Sequence, residues 1–168
     1  MAEANLRGEI HMSEEAYWAN CFFDAEYNRR LFFDKLKFPG YESLWQKDEG
    51  TKLSRRVRIS PPVDALPGPV KKIAGNSFNY EEEGTFDKGT KRYTFVVHSS
   101  TAADKSNVRG EMWVESSGGK LYRCAKLQVD VKIFMVGGMI ESKIIEDFTK
   151  SFDAATILAN EFAKEKGL

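Results

Sequence analysis

Two histidines, two cysteines and three charged residues set among apolar neighbours are the side chains of this chain best suited to chemistry. A histidine serves as a general base only where it meets the substrate. His11 follows Arg7 and Glu9 at steps of two, and His98 follows Arg92 and Thr94, so alternation puts both on the solvent side of their strands. Cys21 and Cys124 lie far apart in different elements, which gives neither a disulfide framework nor metal-ligand spacing; they read as free thiols of a reducing compartment. With no clustered His, Cys, Asp and Glu, no nucleophile elbow and no phosphate loop, the sequence assigns no catalytic residue, no metal and no cofactor. Arg55, Glu82 and Arg123 are different. Each shares the parity of the apolar residues on its strand, and a charge facing a dry interior is costly unless paired. These three are therefore mutually paired, at an open rim, or poised for the polar group of a ligand.

The elements that must position them follow from periodicity. Met139 to Leu168 repeats Ile140, Ile144, Phe148, Phe152, Ala155, Ala159 and Phe162 at steps of three and four, the stripe of a long amphipathic helix. Such a stripe needs a broad sheet to receive it. Residues 5–12 alternate as a strand, Ser13 and Asp24 fit N-caps of two short helices over about 14–22 and 24–36, and Phe38-Pro39-Gly40 ends them. From Tyr41 the period is two: strands are expected at about 41–48, 52–59, 76–84, 90–99, 107–116 and 120–134, with short turns that make neighbours antiparallel. Ser60 to Gly75 holds four of the five prolines and interrupts the sheet as a lid or shoulder, with Val63, Leu66, Val70 and Ile73 as its apolar face.

At 168 residues the chain has the size of one domain, 1–168. Lys plus Arg is 25 and Asp plus Glu is 25, so no global field draws it to nucleic acid. The run Lys52 to Arg58 reads as a solvated sheet face, with transient docking at an anionic membrane as the alternative that a lipid carrier would need. No apolar leader core and no stretch of about 18 apolar residues occurs, so a soluble cytoplasmic protein is expected.

This order of elements resembles the START-like superfamily, also called SRPBCC or helix-grip and shared with the birch pollen allergen and the polyketide cyclases. Leu66-Pro67-Gly68-Pro69-Val70-Lys71-Lys72-Ile73 and Val136-Gly137-Gly138-Met139-Ile140-Glu141 are similar to a bacterial branch of it, the domain of unknown function family 2505. Gly137-Gly138 would let the chain pass from strand to helix without a Cβ against the sheet. The resemblance implies an α+β fold: a curved antiparallel sheet of six to seven strands grips the C-terminal helix, with two short helices after the first strand. It also implies a hydrophobic cavity between sheet and helix, and makes the strands of Arg55 and Glu82 neighbours.

Inward parity away from strand ends selects Tyr80, Tyr93, Phe95, Met112 and Leu127, with Phe148 and Phe152 opposite them, as the wall of an apolar pocket, and Arg55 or Arg123 as the contact for a head group. The leading expectation is non-enzymatic binding or transport of a lipid, isoprenoid or polyketide-like molecule. A cyclase or aromatase would need Tyr80, Glu82, Tyr93 and Arg123 to converge. A co-chaperone-like interaction module would have a filled interior, and its local support is Trp113, expected exposed between Glu111 and Glu115.

Overall fold

The computed structural model describes residues 1–168. Seven strands form one antiparallel sheet: β1 (Ala2–Ile10), β2 (Gly40–Asp48), β3 (Lys52–Ser60), β4 (Tyr80–Asp87), β5 (Arg92–Ser99), β6 (Ser106–Ser117) and β7 (Lys120–Val131). Their order is β1-β7-β6-β5-β4-β3-β2. Each strand from β2 to β7 pairs with the next in sequence, as short turns require, and β1 closes on β7 with Ala2 opposite Val129 and Ile10 opposite Leu121.

Between β1 and β2 run two short helices, α1 (Glu14–Tyr17) and α2 (Ala25–Arg29). Ser13 Oγ accepts from Ala16 N at 3.2 Å and Asp24 Oδ2 from Tyr27 N at 2.9 Å, so both N-caps act as their sequence suggests. Each helix then widens into a π turn, over Trp18–Phe22 and Arg30–Lys35. Aromatic rings fill the space under them: Trp18 lies 4.5 Å from Phe86 and Phe22 lies 4.7 Å from Tyr93, centroid to centroid. A third helix, α3 (Gly68–Ala74), stands within the proline-rich segment and buries Val70.

The terminal helix α4 (Gly137–Lys166) lies against β1 and β7. Its stripe divides in two. Phe152, Ala155, Leu158, Ala159 and Phe162 are buried in the core, whereas Ile140, Ile144 and Phe148 are only partly covered. Tyr27 donates its hydroxyl to Ala155 O and so ties α2 to the packed half.

Several element boundaries differ from the periodicity. β4 starts at Tyr80, because Asn79 is held to Ser100 by hydrogen bonds in both directions and Phe78 remains in the approach loop. β7 stops at Val131; Phe134 is fully exposed and Met135 adopts φ 67° at the turn into α4, which begins at Gly137. Of the two glycines there, Gly137 is the one that needs to be bare: a Cβ would stand 2.3 Å from Val131 O, while at Gly138 it would meet nothing. Trp113 is half-buried, not exposed, because the Arg92 guanidinium covers its ring at 4.5 Å and its Nε1 donates to Glu115.

Candidate functional site

Where the partly covered half of α4 stands over the sheet, side chains leave a cavity of about 280 Å³. Its floor is the concave face of β3 to β7, one end is closed by the buried Tyr17, Phe22 and Tyr27, and the other is roofed by Leu66, Val70 and Ile73 of the proline-rich segment. The wall is mostly apolar.

The cavity lies between strands whose inward residues were readable by parity. Tyr80, Phe95, Met112, Leu127, Phe148, Phe152, Arg55 and Arg123 all border it. Tyr93 does not. Its ring lies flat over Gly84 of the neighbouring strand, where a Cβ would stand 2.2 Å from the phenol, so Tyr93 is sealed beneath the wall. From there its hydroxyl donates to Glu82 Oε1 at 2.7 Å and accepts from Arg55 Nε at 3.4 Å.

Arg55 is held from three sides. Nη2 meets Glu82 Oε1 at 3.2 Å, Nη1 donates to Phe22 O at 2.9 Å, and the guanidinium stacks 4.0 Å from the Phe22 ring centroid. Burial on its own would make this charge untenable; the carboxylate across the strand pair offsets it. Arg55 is therefore a structural cation with its own counter-ion.

Arg123 is arranged differently. Nε donates to Tyr17 Oη at 2.9 Å, and Nη1 donates to Phe152 O and Thr156 Oγ1, both at 2.8 Å. It is 3% exposed, sits 4.0 Å from the Phe152 ring centroid, and has no carboxylate within 4.0 Å.

Two further charged residues border the cavity that the strand pattern did not reveal. Lys143 Nζ and Asp147 Oδ1 pair at 2.8 Å across one turn of α4. They flank Ile140, Ile144 and Phe148, and their spacing of four was the available signal. Burial, then Glu82 and Asp147, push the Tyr80 phenol above its ordinary range; burial and Glu82 do the same to Tyr93. Both phenols are therefore neutral donors near pH 7.

The remaining reactive side chains lie elsewhere. His11 and His98 are exposed on the outer face beside Glu9 and Glu83. Burial pushes Cys21 up to about 12 and Cys124 up to about 11, so neither is a thiolate near neutrality. Two arginines of the basic run are neutralised on the outer face: Arg56 pairs with Glu81 and Glu83, and Arg58 with Glu42 and Glu81. No helix is long and apolar enough to cross a membrane.

A family model described as "Protein of unknown function (DUF2505)" matches residues 7–162, and the chain belongs to that family. No curated protein matches the sequence. Solved structures share the architecture at low identity. TTHA0849 from Thermus thermophilus superposes with a TM-score of 0.63 at 15% identity, covering 99% of this chain and 100% of that one. A START superfamily protein from Mycobacterium smegmatis gives 0.58 at 14% identity, covering 95% and 97%. The Zhui aromatase/cyclase from Streptomyces sp. R1128 gives 0.59 at 9% identity, covering 94% and 93%. At these identities the likeness establishes the helix-grip fold, with its curved sheet and long terminal helix.

Proposed function

We propose that the chain binds and carries a hydrophobic small molecule, a lipid, isoprenoid or polyketide-like compound, as one START-like domain. The cavity carries this reading: a protein of this size that folded only to be stable would fill such a space with side chains. Here Ile140, Ile144 and Phe148 pack against the core yet only partly fill the gap between helix and sheet, and the space left is lined mainly by aliphatic and aromatic groups with a few polar ones. An unfilled interior also disfavours the interaction module.

A cyclase or aromatase on the same frame would need free polar groups converging on one point. Glu82 is instead occupied by Arg55 and Tyr93, and Arg123 lies at the far end of the cavity from Tyr80. Tyr80, Phe95, Met112, Leu127, Phe148 and Phe152 would contact the apolar body of the ligand. Tyr93 would act through Arg55 and Glu82, not by contact. Native mass spectrometry of the purified protein, with organic extraction of whatever accompanies it, tests this. A bound apolar molecule of stoichiometric amount is expected. Failure of the protein to bind any member of a broad lipid panel would refute it.

A further inference from the structure

The cavity holds more positive than negative charge. Arg55, Arg123 and Lys143 border it, against the carboxylates of Glu82 and Asp147. Arg55 is paired with Glu82 and Lys143 with Asp147. Arg123 is the cation left over: every acceptor it uses, the Tyr17 phenol, the Phe152 carbonyl and the Thr156 hydroxyl, is neutral.

Its third nitrogen, Nη2, makes no hydrogen bond within the protein. No side-chain nitrogen or oxygen of the protein is both sealed and unpartnered, so Nη2 is not fully enclosed, and Arg123 lines the cavity. A guanidinium clamping β7 to α4 would need two nitrogens and no net charge. This one retains a charge and a free donor in apolar surroundings, where an anion would gain most from both.

The position along the cavity is also informative. On β7, Arg123 and Val131 share the inward face and are eight residues apart, roughly 26 Å along the strand at about 3.3 Å per residue. The Arg123 end is closed by Tyr17, Phe22 and Tyr27, all buried; the Val131 end is where the half-buried proline-rich segment forms the roof. We infer that the ligand is a monoanionic amphiphile, an apolar chain ending in a carboxylate, bound head first with its carboxylate on Arg123 Nη2 and its tail toward the proline-rich roof. This rests on the carrier reading above and narrows its ligand class.

A matched pair of probes separates the two. Fluorescence titration of the unmodified protein with cis-parinaric acid and with its methyl ester compares the same chain with and without the charge. The acid is expected to bind about tenfold or more tightly, the size of one charge-assisted hydrogen bond. Arg123→Met should weaken the acid more than the ester and so remove most of the difference between them, and Arg123→Lys should restore part of it. Equal affinities for acid and ester in the unmodified protein would overturn the anion inference and leave the carrier reading standing. Binding of neither would overturn both. Because the unmodified protein alone gives the acid-to-ester ratio, the test survives poor folding of an Arg123 variant.

Discussion

Tyr93 and Glu82 share a hydrogen bond of 2.7 Å whose acceptor, Glu82 Oε1, is also the oxygen that meets Arg55 Nη2 at 3.2 Å. One carboxylate oxygen thus serves a sealed phenol and a sealed guanidinium. Glu82→Gln should be more damaging than Tyr93→Phe. Removing the phenol oxygen costs about 1–2 kcal/mol for one buried hydrogen bond. Removing the carboxylate charge leaves Arg55 buried without a counter-ion, for about 3 kcal/mol. Urea midpoints of the two variants measure the difference, and the reverse order would mean that Glu82 does not balance Arg55.

Met112→Trp should abolish binding of an apolar fluorescent probe while the protein stays folded. Met112 borders the cavity, so the larger ring has space to enter, at an overpacking cost of about 1–3 kcal/mol. Circular dichroism monitors the fold and probe titration the binding. A folded variant with unchanged affinity would count against Met112 as part of the wall.

Replacing His11 and His98 together should leave binding unaltered, because both side chains are on the outer face. A loss of affinity beyond threefold or so would place the ligand outside the cavity.

The segment Pro61 to Asn79 should exchange its amide hydrogens faster than β6 and β7, and slow down when ligand is bound. Leu66, Val70 and Ile73 roof the cavity with few hydrogen bonds beneath them, so opening this segment breaks less than opening a strand. Protection equal to that of the central strands and insensitive to ligand would exclude it as the gate.

Stability should fall as pH rises above about 9. Burial pushes the Cys21 thiol from the ordinary 9.0 up to about 12 in the folded chain, and Cys124 from 9.0 up to about 11. Between those values the unfolded chain has released protons that the folded chain keeps, so raising pH favours unfolding, by up to about 1.4 kcal/mol per pH unit for each fully buried group. The phenols of Tyr27, Tyr80 and Tyr93, all raised by burial, add to the decline above about 10. Denaturation at pH 8, 9.5 and 10.5 should show the trend, and Cys21→Ala should flatten it between 9 and 10.5. A flat profile in the unmodified protein would mean that the thiols are more hydrated than their burial indicates.

Much of the frame was legible because strand parity and the helical stripe are local properties. Alternation alone turned Arg55, Glu82, Phe95, Met112, Arg123 and Leu127 inward, and the stripe of Phe148 and Phe152 found its sheet. Tyr93 escaped because whether a ring stands in a cavity or lies under it depends on the residue across the strand pair, and Gly84 becomes its neighbour only once the register is known. Lys143 and Asp147 escaped for another reason. The first half of α4 is only loosely packed and borders the cavity, so positions beside the stripe also face inward, and periodicity does not distinguish a tightly packed turn from a loose one. The start of β4 was misplaced because the segment before it alternates like a strand but pairs only through Asn79.

The π turn at Trp18–Phe22 gives the site a sensitivity to chain length. Phe22 O accepts from Asn28 Nδ2 at 2.9 Å as well as from Arg55 Nη1, so the carbonyl at the end of the wide turn is the joint between the helical layer and the sheet. A wide turn accommodates one residue more than an α-turn. Deleting a single residue there would leave an acceptable helix, yet swing Phe22 about 100° around its axis, away from the guanidinium that it covers. Insertions and deletions in this short stretch are thus constrained as tightly as substitutions in the cavity wall, although none of its backbone need touch a ligand.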